Sequence, residues 1–125
     1  MSGSLRVLMA EDEVLAAEVL AEGLSEAGFT VLTAPDGQAA LELAAAGVAF
    51  DLLLTDLRMP RMDGRELIAR LRSERPDLPV VVMTGFPPPD GPAALHAGPA
   101  PLRLLTKPIR IAPLVDALRS VAGLA

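Results

Sequence analysis

Five polar residues, far apart in the chain, each stand at or directly after the end of a short apolar run. Glu11 and Asp12 follow Leu5 to Ala10, Asp56 follows Leu52-Leu53-Leu54-Thr55, Thr84 follows Pro79 to Met83, and Lys107 follows Leu102 to Thr106. A carboxylate at the tip of a buried strand is costly to desolvate unless a cation or a ring of donors meets it. Asp56 therefore implies partners. Brought together, Asp12 and Asp56, with Glu11 nearby, would form an oxygen-rich, negatively charged pocket suited to magnesium, a hard cation that keeps several waters. An ionised Asp56 beside that metal could attack phosphorus and form an acyl phosphate. Thr84 could then donate a hydrogen bond to one transferred oxygen, and Lys107 could pair with another as a point charge.

Whether these residues meet depends on the elements that carry them. At 125 residues the chain fits one domain, large enough for a core without disulfides or structural metal. It has no cysteine, which excludes zinc thiolate sites and cysteine nucleophiles and fits a reducing compartment. The formal charge of −5 argues against direct binding of nucleic acid, which needs a basic surface. No apolar run reaches the length of a membrane span, and Met1-Ser2-Gly3-Ser4 lacks the regions of a signal peptide. The expected location is the cytoplasm, with no membrane contact.

Along the chain, apolar runs of strand length alternate with stretches of helical periodicity. Leu5 to Ala10 reads as a strand covered on both faces. A helix follows, with Val14, Leu15, Val19, Leu20, Leu24 and Ala27 as its apolar set and Gly28 as its stop. Thr30 to Ala34 is a second strand, and Asp36 caps a second helix that runs through Ala46. Leu52 to Thr55, leading into Asp56, is the third strand; Gly64 to Arg72 is the third helix, with Leu67, Ile68 and Leu71 on one face. Pro79 to Met83 and Leu102 to Thr106 are the fourth and fifth strands, and Ile111 to Leu124 closes as an amphipathic helix on Leu114, Val115, Leu118 and Val121. Between the last two strands, residues 87–101 hold six of the twelve prolines, so the helix expected there is short or disordered, limited to Ala93 to Ala97.

Repeated strand and helix units imply an α/β fold: a doubly wound parallel sheet with helices on both faces. All strands of such a sheet end at one edge, where the polar residues named above would converge. Only the second strand ends without chemistry, as an edge strand would in the flavodoxin-like order 2-1-3-4-5, whose ligand crevice lies between strands one and three.

With Glu11-Asp12, then Asp56 with Met59-Pro60 and Met62-Asp63-Gly64, then Thr84, then Lys107-Pro108, the chain resembles the receiver domains of bacterial two-component response regulators. The resemblance implies one receiver domain over residues 5–125 behind a tail of residues 1–4. It implies that Asp56 accepts a phosphoryl group from a histidine kinase or histidine phosphotransfer protein, switching a surface that binds a downstream protein partner. It implies Mg2+ held by Asp12, Asp56 and the backbone carbonyl of Arg58, with Glu11 acting through water, and a cis Lys107-Pro108 bond. The domain would be no enzyme beyond its own phosphorylation and dephosphorylation, and a monomer or weak homodimer.

The sequence departs from the family pattern in two places. Leu104 stands where most receivers have an aromatic residue that changes rotamer with phosphorylation, and Thr84 is followed by Gly85-Phe86 and three prolines, as in a subgroup with a degraded fourth helix and in receivers of hybrid kinases. Arg58 and Phe86 occupy the positions where the family tunes access of water to the acyl phosphate. Bulky Phe86 implies slow self-dephosphorylation.

Rival readings fare less well. A phosphatase of the haloacid-dehalogenase type needs a second aspartate two residues after the first, where this chain has Arg58. A flavodoxin needs a hydroxyl- and glycine-rich phosphate loop after strand one, where Glu11 and Asp12 would repel phosphate. The remaining alternative is a receiver-like interaction module that works without phosphorylation. His96, alone between prolines, reads as solvent-exposed rather than as a phosphohistidine, and Met9, Met59, Met62 and Met83 read as packing residues.

Overall fold

The computed structural model of the chain describes residues 5–89, 91, 95 and 100–124. Its elements run β1 (Arg6–Ala10), α1 (Val14–Glu26), β2 (Thr30–Ala34), α2 (Gly37–Ala45), β3 (Leu52–Asp56), α3 (Gly64–Glu74), β4 (Val80–Thr84), β5 (Leu102–Thr106) and α4 (Ile111–Val121). The strands form one parallel five-stranded sheet in the order β2-β1-β3-β4-β5. The expected α/β flavodoxin-like topology is thus the observed one. The helix expected between β4 and β5 falls on residues that, Gly91 and Leu95 apart, lie outside the described ones, as does His96.

Continuous apolar strands make sense because the sheet has two cores. Leu8, Leu53, Val80 and Val82 point to the side covered by α2 and α3. Their neighbours Val7, Met9, Leu52, Leu54, Val81 and Met83 point to the side covered by α1 and α4. Successive strand residues face opposite sides, so a strand buried on both faces has no polar positions to spare. Met9, Met62 and Met83 are buried and Met59 packs at the margin, as their reading as packing residues requires.

Helix α1 departs from its expected packing. Leu20 and Leu24 are buried, but Val14, Leu15 and Val19 are 67%, 77% and 67% exposed. Apolar residues mark two different faces of this helix, and only one meets the sheet. In α4, Ala117 is buried beside Leu114, Leu118 and Val121, while Val115 lies at the margin.

Asp36 caps α2 as expected, its Oδ1 accepting from the Ala39 N–H at 2.8 Å, and Asp63 caps α3 in the same way through Glu66. Gly28, just past α1, has φ 102°, a conformation that glycine adopts without steric cost. Among the described residues no helix is long and apolar enough to cross a membrane.

Candidate functional site

The strand register sets the site before any side chain is considered. Ala10 pairs with both Ala34 and Thr55, Asp56 with Met83, and Thr84 with Thr106, so the carboxyl ends of β1, β3, β4 and β5 lie side by side. Residues immediately beyond those ends must share one crevice. Backbone bonds extend the alignment: the Glu11 N–H donates to Ala34 O at 3.0 Å, Leu57 to Met83 O at 3.1 Å, and Lys107 to Thr84 O at 2.8 Å.

Asp56 is the last residue of β3 and is buried. Lys107 Nζ donates to its Oδ2 at 2.7 Å and to Glu11 Oε1 at 3.2 Å. Glu11 is also buried, and its Oε2 accepts from the Glu13 N–H at 3.0 Å. Burial, reinforced by the charge of Asp56, holds the Glu11 carboxyl above its usual range against the opposing pull of the Glu13 N–H and of Lys107. Burial also works against the charge of Lys107, but hydrogen bonds and Coulomb attraction from Asp56 and Glu11 outweigh it and hold the ammonium above its usual range. Lys107 is the cation that the buried aspartate required.

Asp12 is exposed at the mouth. Carboxylate oxygens of Glu11, Asp12 and Asp56 lie within 4.8 Å of one another. Three oxygen donors converging from two strand ends, one still open to solvent, suit a hard divalent cation that retains water, so the residues fit the magnesium implied by the sequence.

Thr84 is buried, and its Oγ1 accepts from the Phe86 N–H at 3.1 Å. Phe86 itself is exposed, and the Arg58 guanidinium lies over its ring, 4.8 Å from the centroid. The two positions expected to control water access therefore touch each other. Leu104, half-buried in β5, packs against the core on the α2 and α3 side. The Lys107-Pro108 bond is cis. Gly64 is required by geometry: a Cβ there would lie 2.4 Å from the carbonyl oxygen of Asp56, so the start of α3 can press against the acceptor's own peptide only without a side chain.

Sequence reasoning missed one pair beside this site. Asp36 and Arg61, 25 positions apart, form an ion pair in which Arg61 Nε donates to Asp36 Oδ2 at 2.8 Å. The loop after the second strand thus carries an ion pair at the start of α2. The Ala39 N–H, with help from Arg61, holds the Asp36 carboxyl below its usual range. The only signal was the Asp36-Gly37 pair, which is equally well explained as a cap.

A family model of the response regulator receiver domain matches residues 7–119. The chain belongs to that family. Transcriptional regulatory protein PdtaR of Mycobacterium tuberculosis is 41% identical over 115 residues, which cover 90% of this chain and 54% of PdtaR. Response regulator receiver protein CpdR of Brucella abortus is 35% identical over 120 residues, covering 93% of this chain and 95% of CpdR. A crystal structure of a response regulator receiver protein from Sinorhizobium medicae superimposes with a TM-score of 0.85 at 27% identity, covering 96% of this chain and 95% of that one. Curated relatives thus include both proteins of this length and longer ones, and the chain spans about half the length of PdtaR.

Proposed function

We propose that this receiver domain signals by phosphorylation, with Asp56 as the acceptor. The observation that supports it best is the buried Asp56 carboxylate held 2.7 Å from Lys107 Nζ, with the carboxylates of Glu11 and Asp12 alongside. In transfer from a phosphohistidine, an Asp56 oxygen attacks phosphorus, the P–N bond breaks, and the imidazole nitrogen leaves with the bonding pair. Asp12, Asp56 and the Arg58 carbonyl would hold Mg2+, with Glu11 acting through water, and bound metal would neutralise charge on the transferred oxygens. Lys107 is already in contact with the acceptor and can follow the new charge. Among the described residues the Thr84 hydroxyl accepts a bond but gives its own proton to no protein acceptor, which leaves that proton for a phosphoryl oxygen. Arg58 and Phe86, stacked at the crevice, would restrict water and lengthen the acyl phosphate's life. With Leu104 in place of an aromatic side chain, the switch would run through Thr84 and the segment that follows it.

This reading predicts a single phosphoryl adduct by intact mass after incubation with acetyl phosphate and Mg2+, and its loss when EDTA replaces the metal. No adduct from acetyl phosphate or from a histidine kinase would leave a phosphorylation-independent interaction module.

The docking surface assigned to the donor protein in this reading is the exposed apolar face of α1. Leu15 and Val19 line a cleft of about 580 Å³ that also includes Glu11, Lys107 and Ile109, so apolar surface runs directly into the acidic crevice. Leu15→Asp or Val19→Asp is expected to slow transfer from a cognate kinase about tenfold, the weight of one sizeable interface contact. Uptake from acetyl phosphate, which needs no docking surface, should not change; equal loss with both donors would refute the assignment.

A further inference from the structure

The loop from Asp56 to α3 carries the Arg58 carbonyl, and the structure fixes that loop at points the magnesium reading does not use. At its start, the Leu57 N–H donates to Met83 O at 3.1 Å and the Leu57 carbonyl accepts from the Gly64 N–H at 2.8 Å. At its far side stands Arg61, whose φ of 68° places a non-glycine residue in the left-handed region. Such a conformation is uncommon for a long side chain and persists where its surroundings hold it. Two contacts hold it: the Met62 N–H donates to Pro60 O at 2.8 Å and closes the backbone turn about Arg61, and Asp36, buried at the start of α2, accepts from the Arg61 side chain through Oδ2 while its Oδ1 caps the helix. The neighbouring backbones meet as well: a Cβ on Gly37 would lie 2.5 Å from Met62 O. Between the two anchors lie Arg58, stacked on Phe86, Met59, packed at the core margin, and Pro60, whose ring limits φ.

We propose that Asp36 and Arg61 are positioning residues for the metal site: their ion pair fastens the loop to α2 so that the Arg58 carbonyl faces the carboxylates of Asp12 and Asp56. The proposal rests on the reading of that cluster as a Mg2+ site. Neither residue touches the metal or the phosphoryl group. Partners that orient a ligand without contacting the metal typically change affinity by 10- to 100-fold when lost. The pair also adds a charge-assisted bond between two loops whose backbones meet at Gly37 and Met62.

The test is calorimetric titration of the unphosphorylated full chain with MgCl2, well below the melting temperature of every variant. Asp36→Asn keeps an oxygen to cap α2 but gives up the charge, and Arg61→Gln keeps a polar side chain. Each should raise the Mg2+ Kd about tenfold; the double variant should be no worse than either single one, and Arg61→Lys should recover part of the loss. Arg61→Gly, which relieves the left-handed backbone while deleting the pair, should also bind weakly. Wild-type affinity in Arg61→Gly or in both single variants, or single losses that multiply in the double variant, would overturn the proposal. A wild-type chain that shows no saturable Mg2+ binding would overturn the metal site itself and this inference with it.

Discussion

Asp56→Asn is expected to abolish phosphoryl uptake from every donor while leaving the domain folded. The amide has nearly the shape of the carboxylate but no anionic oxygen to attack phosphorus, so the loss should be complete rather than partial. The fold should tolerate the change because of how the charges are shared. Asp56 and Glu11 both lean on Lys107, and each is buried beside the other. Removing the Asp56 charge relieves a like-charge contact and leaves the Lys107 ammonium its bond to Glu11 at 3.2 Å. An alanine would instead leave a cavity, which makes asparagine the cleaner substitution. Intact mass with acetyl phosphate reads the uptake, and thermal melting reads the fold. An adduct of wild-type intensity in the variant would show that another residue is the acceptor.

The largest stability effect is expected at the opposite edge of the sheet, from Arg72→Ala. Arg72 is 3% exposed, an unusual place for a guanidinium, and burial holds its pKa below the ordinary arginine range. Its Nε and Nη2 donate to Leu78 O at 3.1 and 2.9 Å, and Nη2 also reaches Ala100 O at 3.2 Å and Pro101 O at 2.9 Å. One side chain on α3 thus ties together the entries to β4 and β5. It brings the far end of the proline-rich segment onto the sheet. Pro101 O has a second donor in the Val80 N–H, but truncation would strip Leu78 O and Ala100 O of this donor. At about 1 to 3 kcal/mol for each buried acceptor left unpaired, plus the lost packing of the stem, a cost of about 3 kcal/mol follows. Arg72→Met keeps the stem and should cost less. Chemical denaturation measures both, and phosphoryl uptake per folded molecule should be unchanged because the site lies at the other edge. A loss below about 0.5 kcal/mol, the range of an ordinary surface change, would mean that the carbonyls find other donors.

Arg72 also marks a limit of reading function and fold from sequence. At helical spacing in Gly64–Glu74 it looks like one more charged residue on a solvated face, beside Arg65 and Arg70. Nothing local distinguishes it. Its burial is decided by the carbonyls of residues 78, 100 and 101, supplied by segments up to 29 positions away. The same holds for α1, where Leu15 and Val19 are as apolar and as regularly spaced as Leu20 and Leu24. Which pair is buried depends on where the sheet and α4 lie: Gly23 sits so close to Ile111 that a Cβ there would approach within 2.4 Å.

By itself the sequence determined the elements, the parallel sheet and the residues of the crevice. The reason is physical: when every strand runs the same way, all their carboxyl ends share one edge, so residues placed after successive apolar runs must converge whatever the loops do. Glu11, Asp12, Asp56, Thr84 and Lys107 could be grouped on that ground alone. Only the tertiary structure decided which atoms meet. It paired Lys107 with both buried carboxylates, stacked Arg58 on Phe86, and joined Asp36 to Arg61. Such contacts depend on loop paths and side-chain reach, which no periodicity along a single chain encodes.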